Sequence, residues 1–197
     1  MLKRLFDIFF SLGALIILLP VFLIIAFFIV IDSKGGVFYK QMRVGKDNKD
    51  FGLYKFRTMH KDAHKKGLLT VGGRDPRITN VGFFLRKYKL DELPQFINIL
   101  KGEMSFVGPR PEVRKYVDLY TPEQMRVLSV KPGLTDYASI DYMDENDLLA
   151  ASSDPEKTYI EEIMPAKLKL NMRYIDEQGL LTDIKIILRT LAKIVSR

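Results

Sequence analysis

Residues 12–31 read LGALIILLPVFLIIAFFIVI, a run of mostly large apolar side chains that contains no charge. A run of about 20 such residues is long enough to cross the hydrocarbon core of a bilayer as a helix. It is too long for the apolar region of a secretory signal peptide, and no small-residue cleavage site follows it. A buried core helix is also disfavoured, because a small domain seldom encloses a helix that is apolar on every side. The run therefore predicts a membrane segment.

Pro20 lies near the middle of this run. Proline removes a backbone donor and its ring clashes with the preceding turn, so the helix should kink or break there. A spanning helix normally carries its basic excess on one side only. Here both sides are basic, which favours a re-entrant helix that enters and leaves by the same face; a kinked spanning helix remains the alternative. The flanking cations are Lys3 and Arg4 before the run, and Lys34, Lys40 and Arg43 after it.

The composition of the whole chain restricts its partners. Its 197 residues suit one catalytic domain, alone or with an appendage. The chain has no cysteine, which excludes disulfides and thiolate metal sites. It has 31 basic and 24 acidic residues, a net charge of +7, and residues 40–66 are rich in lysine and arginine. Such an excess suggests an anionic partner: a membrane surface, a phosphorylated substrate or nucleic acid. A solvated basic surface with no special partner is the alternative.

Beyond the apolar run, short helices and strands are predicted. Strands are expected to begin at residue 37 and to cover residues 51–56 and 104–107. Residues 184–195 form a basic amphipathic pattern that suits either the membrane surface or packing on the domain. The sequence therefore predicts an α+β fold that is mostly helical. The other expected helices are 81–89 after an Asn80 cap, 94–101 ended by Gly102, 112–119, one begun by the capping box of Thr121 and Gln124, and one begun by Asp154.

The acidic pair Asp91 and Glu92 comes directly before the helix predicted at Pro94. Capping of that helix would by itself explain both carboxylates. The surroundings favour chemistry instead, because a helix N-terminus ringed by cations is an anion site. Those surroundings are Arg86, Lys87 and Lys89 before the pair, and Arg110 between Pro109 and Pro111 after it.

A carboxylate that attacks a phosphate needs help, since both partners are anionic. A divalent cation and arginines can supply it, and the planar fork of arginine grips two phosphate oxygens at once. An aspartyl-phosphate is a known type of covalent intermediate. The sequence holds the parts for such a site: Asp91, Glu92, Arg86, Arg110, Lys55 and Arg57.

Several short segments across residues 3–135 occur in a recognisable order. They are KRLFD at 3–7, VFYKQ at 37–41 with Arg43 and Gly45, YKFRTM at 54–59, DPRIT at 75–79, Gly82 with FLRK at 84–87, LDELPQ at 90–95, LKGEMS at 100–105, VGPRP at 107–111 and KPGLT at 131–135. Together they resemble the bacterial sugar transferases, in particular the small monotopic phosphoglycosyl transferases that act on polyprenyl phosphate. The C-terminal third of the chain resembles the family more loosely.

The resemblance implies an architecture. The apolar run would be a re-entrant helix broken at Pro20, with both ends on the cytoplasmic face of the bacterial inner membrane. Residues 1–34 would form this membrane-embedded part. Residues 35–197 would form a small cytoplasmic-face catalytic domain with short strands and membrane-surface helices.

The resemblance also implies a reaction. Asp91 would be the nucleophile that displaces a nucleoside monophosphate from a UDP-sugar and holds the sugar phosphate covalently. A polyprenyl phosphate, usually undecaprenyl phosphate, would then attack that intermediate. Mg²⁺ is required in the family; Asp91 and Glu92 would hold it, and Glu92 would assist either the metal or proton transfer. The phosphate-binding residues would be Lys55, Arg57, Arg86, Pro109, Arg110 and Pro111. Later glycosyltransferases would be partners, and nucleic acid is not expected.

Two features depart from the pattern of the larger or commoner family members. Many members follow the Lys-Pro-Gly turn with Thr-Gly-Trp-Ala-Gln, whereas this chain has TDYAS at residues 135–139. Because that segment is expected to touch the sugar or the base, the resemblance leaves the identity of the sugar open. The larger two-domain members carry several additional spanning helices, and this chain, with one apolar segment, is expected to resemble the minimal form.

Two other interpretations compete with this one. A membrane-tethered basic protein could bind anionic lipid or nucleic acid without catalysis, but that leaves the Asp91–Glu92 pair and the proline-flanked Arg110 unexplained. Alternatively, the same overall transfer could proceed by direct attack, without a covalent intermediate.

Overall fold

The computed structural model describes residues 2–61, 63, 69, 70, 72 and 75–196. Part of the basic stretch at 40–66 therefore lies outside the described residues. Helices dominate, and two small two-stranded sheets complete an α+β fold, as predicted. The helices are α1 (Leu2–Ile17), α2 (Leu19–Asp32), α3 (Asn80–Lys87), α4 (Gln95–Lys101), α5 (Arg114–Val117), α6 (Tyr137–Asp141), α7 (Glu145–Ala150), α8 (Pro155–Thr158), α9 (Met164–Glu177) and α10 (Leu180–Val195). The strands are β1 (Phe38–Val44), β2 (Asp50–Phe56), β3 (Ser105–Val107) and β4 (Gly133–Thr135).

The apolar run forms two helices rather than one. α1 and α2 are bent by 60° relative to each other, and the break falls at Leu18. Pro20 lies in the first turn of α2. A proline there needs no N–H, whereas a continuous helix would require one and would clash with the ring. The predicted break is therefore confirmed, just ahead of the proline that causes it.

The bent pair leaves a large apolar surface uncovered. Within the described residues no single helix is both long and apolar enough to cross a bilayer, but α1 and α2 pass that test together. Phe27 and Val30 are each 62% exposed on α2. Insertion into a bilayer is one way to cover these side chains, and the membrane embedding of residues 1–34 stays a prediction.

The first turns of α1 are fixed to the rest of the chain by polar contacts. Asp7 accepts hydrogen bonds from the Ser105 hydroxyl at 3.0 Å and from the Phe106 backbone at 3.1 Å. The guanidinium of Arg4 donates to two carbonyls at the end of α4, at 2.6 and 2.8 Å, where the negative end of the helix dipole favours a cation. α1 is thereby attached to α4 and β3, the two elements that lie in the chain between the turn of the acidic pair and the Arg110 loop.

The two sheets differ in direction. β1 and β2 pair antiparallel from Phe38 opposite Phe56 to Val44 opposite Asp50, which confirms the two strands predicted there. β3 and β4 pair in parallel, with Ser105 opposite Gly133. The sequence predicted β3 but not β4, because a three-residue strand that begins at the glycine of a Lys-Pro-Gly turn carries too little periodicity to signal a strand.

The apolar core is divided along the chain. One cluster, which includes Tyr116, Tyr159 and Leu168, joins α5 to α9 in the C-terminal half. Another joins α2 to β2 and α3 through Ile29 and Leu85, which are 1% and 2% exposed. The second cluster fixes α3, and with it the start of the turn that carries the acidic pair.

Several predicted helix ends need correction. Thr79, not Asn80, caps α3, because its hydroxyl accepts from the Gly82 backbone at 2.9 Å. The predicted helix at 112–119 is shortened to α5. Thr121 and Gln124 form the predicted reciprocal box, at 2.9 and 3.3 Å, but the helix that follows, Gln124–Ser129, is a 3-10 helix.

α10 shows one of the two roles considered for it, packing on the domain, and leaves an apolar face exposed. Ile186 is completely buried, and Asp183 forms an ion pair with Lys3 of α1. Leu188 and Val195 are 61% and 85% exposed. One face of the helix therefore packs on the domain, and contact of its exposed apolar face with a membrane surface stays a prediction.

Candidate active site

The acidic pair lies in a tight turn between two helices. After α3, Lys89 takes a left-handed backbone conformation, with φ 57° and ψ 18°, and reverses the chain. A 3-10 turn, Leu90–Glu92, follows and leads towards α4. Asp91 is 5% exposed and Glu92 8% exposed. Two adjacent buried carboxylates are costly unless cations or ligands compensate them.

Two cations hold Glu92. Arg110 donates to both of its carboxylate oxygens: Nη1 is 3.2 Å from Oε2, and Nη2 binds Oε1. Lys55 Nζ lies 3.8 Å from the same Oε1. The Glu92 carboxylate is thus engaged by side-chain cations and does not cap α4, so the capping explanation fails for this residue.

Asp91 differs from its neighbour. Within the described residues, its carboxylate makes neither the hydrogen bonds nor the ion pair that hold Glu92. Burial, and then the negative charge of Glu92, raise the pKa of Asp91 above its ordinary value. Lys55, Arg86 and Lys89 act in the opposite direction without reversing the shift. The oxygens of Asp91 are therefore not committed to a neighbouring cation.

The two carboxyl groups are driven apart in acidity. Burial would raise the pKa of Glu92, but the charges of Arg110 and Lys55 outweigh burial and hold that pKa well below its ordinary value. Burial lowers the pKa of Lys55 to about 8, although Glu92 opposes the shift. Adjacent carboxylates whose pKa values diverge are suited to different roles. Glu92 stays ionised as an anchor for cations, whereas Asp91 is the more basic group.

The position of Arg110 depends on a close approach of two backbones. The loop 108–111 follows β3, and the Gly133 N–H donates to the Pro109 carbonyl at 3.0 Å. A Cβ added to Gly133 would lie 2.1 Å from the Gly108 nitrogen, and one added to Gly108 would lie 2.4 Å from the Lys131 carbonyl oxygen. Only glycine allows this contact. The two glycines therefore fix the backbone position of Arg110.

Asp136 is a residue of this site that sequence reasoning missed. It is completely buried, and its carboxylate accepts from the Arg110 backbone N–H at 3.2 Å and from the Ser139 N–H at 2.6 Å. It therefore links the N-terminus of α6 to the arginine loop. The departure from the family at residues 135–139 was the available signal, but it pointed to the ligand rather than to the support of Arg110.

Arg86 and Arg57 are placed differently from each other. Arg86, in the last turn of α3, is close enough for its charge to favour the ionised forms of both Asp91 and Asp75. Arg57 follows β2 directly, and its Nε donates to the Gly36 carbonyl at 2.9 Å. The structure thus gathers Lys55, Arg86 and Arg110 around the acidic pair, whereas the Arg57 side chain bonds to the chain after α2. The phosphate-binding roles of these residues, and of Pro109 and Pro111, stay predictions.

A magnesium ion needs few ligands from the protein, and the acidic pair could supply carboxylate oxygens. Among the described residues there is no cluster of three or more His, Cys, Asp or Glu side chains that could hold a metal. Mg²⁺, however, often uses only one or two protein carboxylates and completes its octahedron with water and substrate phosphates. Asp91 offers oxygens that are not paired with a cation, whereas a metal at Glu92 would share that carboxylate with Arg110 and Lys55.

Comparison with known proteins gives the class of this chain. A family model described as bacterial sugar transferase matches residues 1–197. The chain therefore belongs to the bacterial sugar transferase family, which confirms the resemblance drawn from the motifs.

Three relatives show what the family contains. A UDP-N-acetylgalactosamine-undecaprenyl-phosphate N-acetylgalactosaminephosphotransferase of Aeromonas hydrophila is 35% identical over 99% of this chain and 44% of that protein. A UDP-glucose:undecaprenyl-phosphate glucose-1-phosphate transferase of Escherichia coli is 37% identical over 98% of this chain and 40% of that protein. The uncharacterized sugar transferase EpsL of Bacillus subtilis is 40% identical over 98% of this chain and 87% of that protein. The chain thus spans less than half of the two relatives whose names state a reaction.

Proposed function

We propose that this chain transfers a sugar 1-phosphate from a UDP-sugar to a polyprenyl phosphate, using Asp91 as the nucleophile. Membership of the bacterial sugar transferase family supports the class of reaction. The observation that carries the mechanism is the contrast inside the acidic pair: Glu92 is paired with Arg110 and Lys55, whereas Asp91 is buried and has a raised pKa. The names of the relatives make undecaprenyl phosphate the acceptor to test first.

The proposed reaction consists of two successive displacements at one phosphorus atom. An Asp91 oxygen attacks the β-phosphorus of the UDP-sugar, the bond from that phosphorus to the bridging oxygen breaks, and UMP leaves with the electron pair. The product is an acyl phosphate that carries the sugar. A phosphate oxygen of the polyprenyl phosphate then attacks the same phosphorus, the bond to Asp91 breaks, and the carboxylate is restored.

The cations of the site would lower the barrier to both steps. Arg110 presents its guanidinium beside the acidic pair and, because Glu92 already orients it, requires little reorganisation to meet a phosphate. Lys55 and Arg86 add positive charge around Asp91. Asp91 and Glu92 would hold Mg²⁺, whose positive charge would stabilise the charge that develops on phosphate oxygens.

The apolar helix pair would bring this site to the lipid acceptor. We propose that α1 and α2 enter the cytoplasmic membrane of a bacterium and leave by the same face. Since the chain has no cysteine, single cysteines can replace the exposed Leu2 and Lys49 and be labelled with a membrane-impermeant maleimide. We expect both to react from the cytoplasmic side only. Labelling from opposite sides would show a spanning helix instead.

The covalent mechanism is tested in the absence of lipid acceptor. The purified full chain is incubated with Mg²⁺ and UDP-sugars that carry ³²P in the β-phosphate. We expect one equivalent of UMP per protein and label on the protein, and the label should leave when undecaprenyl phosphate is added. UMP release that requires the lipid, with no labelled protein, would favour direct attack. No transfer from any donor in the panel would overturn the proposed function itself.

A further inference from the structure

A partly open cavity of about 170 Å³ lies beside the loop 108–111, between α5, α7 and α9. Arg110 and Pro111 form part of its wall, so the cavity begins at the same arginine that holds Glu92. Its other walls are more polar than those of an ordinary core cavity. They include Tyr116, Tyr159, Glu145, Lys167 and Asn171.

Two buried polar atoms of residues in this wall have no hydrogen-bond partner within the part of the chain that the structure describes. Asn171 on α9 is 5% exposed, and among the described residues nothing donates to its amide oxygen. Nε of Arg43 likewise lacks an acceptor there, although its two terminal nitrogens are bonded. Buried polar atoms left unpaired cost stability, so a ligand or solvent is expected to supply their partners. An unpaired acceptor and an unpaired donor in one wall suit hydroxyl groups, which do both.

The charged residues of the cavity are shielded more than those of a typical surface pair. Glu145 and Lys167 are joined at 2.6 Å, with side chains 24% and 14% exposed. The ion pair of Lys115 with Glu156, which does not line the cavity, has side chains 52% and 48% exposed. A few fixed polar groups beside aromatic rings are typical of a small-molecule site. Here Tyr116 and Tyr159 line the same cavity as these polar groups, and Lys167 Nζ lies 5.4 Å from the centre of the Tyr159 ring. The combination suits a ring with hydroxyls on its edge and C–H groups on its faces.

We infer that this cavity binds the sugar ring of the nucleotide-sugar donor, with Asn171 and the Glu145–Lys167 pair reading its hydroxyl groups. The inference rests on the proposed function. In that reaction the attacked phosphorus bears the sugar directly, whereas the nucleoside is attached one phosphate further away. When the attacked phosphate of the donor meets Arg110, the sugar is the nearer of the two ends to the cavity that Arg110 borders, and we assign the cavity to it.

The test compares cavity variants with a matched surface variant. Asn171→Leu removes the unpaired oxygen while keeping a similar volume, and Lys167→Met removes one hydroxyl-binding charge. Lys115→Met makes the same change in the exposed ion pair. Each is made in the full chain, and thermal unfolding checks that it folds. Dissociation constants are measured for a panel of UDP-sugars and for UDP alone, with Mg²⁺, in an Asp91→Asn background that prevents turnover.

We expect both cavity variants to weaken the preferred UDP-sugar by about tenfold, the value of roughly one hydrogen bond to a ligand, and to change the order of preference among sugars. Binding of UDP should stay within about twofold, and Lys115→Met should change neither. Equal weakening of UDP would show that the cavity holds the nucleoside. Unchanged binding of every ligand would show that it holds only water. Either result overturns the inference.

Turnover separates this inference from the proposed function. If the unsubstituted chain binds UDP-sugars through the cavity but releases no UMP, the proposed function fails and the sugar site stands. If it releases UMP while cavity variants keep the unsubstituted order of preference, the function stands and the sugar site fails.

Discussion

Asp7 at the start of α1 and Asp91 in the turn before α4 are both nearly buried, at 2% and 5% exposure, yet their surroundings differ. Asp7 receives hydrogen bonds from the Ser105 hydroxyl and the Phe106 backbone. Asp91 receives none of the contacts that hold the adjacent Glu92. A buried acid whose partners are supplied holds a structure together, whereas one without them is a candidate for binding or catalysis.

The largest effect is expected from Asp91→Asn. If Asp91 is the nucleophile, the rate of UMP release should fall at least about 10³-fold, as measured in a coupled assay with undecaprenyl phosphate. The melting temperature should not fall. Because the raised pKa of Asp91 means that the folded state disfavours its ionised form, a neutral side chain removes that cost at neutral pH. A variant that keeps its rate, or that unfolds, would erase the contrast with Asp7.

Arg110→Lys tests the contrast between Asp91 and Glu92 by changing the cation that pairs with Glu92. Lysine keeps the positive charge but cannot bind both oxygens of Glu92 or two phosphate oxygens at once. We expect kcat to fall roughly 10²-fold, with the covalently labelled protein still formed, but slowly. Arg126→Lys, which alters an exposed arginine paired with Asp176, is the control and should keep the full rate. Equal rates for both variants would show that the guanidinium of Arg110 is not needed for catalysis.

Asp7→Ala should give the opposite result to Asp91→Asn. It leaves the Ser105 hydroxyl and the Phe106 N–H without their acceptor, and we expect a loss of about 2 kcal/mol in the free energy of unfolding. Denaturant titration in detergent or nanodiscs measures this loss. The rate per folded molecule should stay close to that of the unsubstituted chain. A large fall in rate without a change in stability would mean that Asp7 is not mainly structural.

The smallest expected effect is a change in pH dependence. Burial sets the pKa of Lys55 at about 8, so Lys55 loses its proton above that pH and Glu92 loses one of its two cations. We expect kcat/KM to decline above about pH 8 for this reason. Lys55→Arg keeps the cation charged and should move the decline to higher pH. If kcat/KM declines at the same pH in both proteins, a group other than Lys55 causes the decline.

The features that the sequence predicted correctly depend on neighbours along the chain. Pro20 lacks an N–H wherever the chain goes, so the helix break could be placed before the fold was known. Gly102 ends α4 with a positive φ of 86°, as expected of a glycine after a helix. The hairpin of β1 and β2 follows from two strand-like runs around a short turn.

The features that were missed depend on contacts between distant residues. Thr79 rather than Asn80 caps α3 because Thr58 accepts the Thr79 N–H and fixes where the helix begins. Asp136 reaches Arg110 across a parallel strand pair that no local pattern announces. The structure places Arg86 and Arg110 near Asp91 and Glu92, but the division of partners between the two carboxylates follows only from the fold.

The backbone contact between Gly108 and Gly133 sets an evolutionary boundary. A side chain at either glycine would push apart the segments that carry Arg110, so descendants of this sequence must keep both. The cavity residues Asn171, Glu145 and Lys167 lie on helices outside that contact. Under the proposed sugar site, selection could therefore vary them one at a time, and a lineage could acquire a new glycan while the proposed phosphate chemistry stays the same.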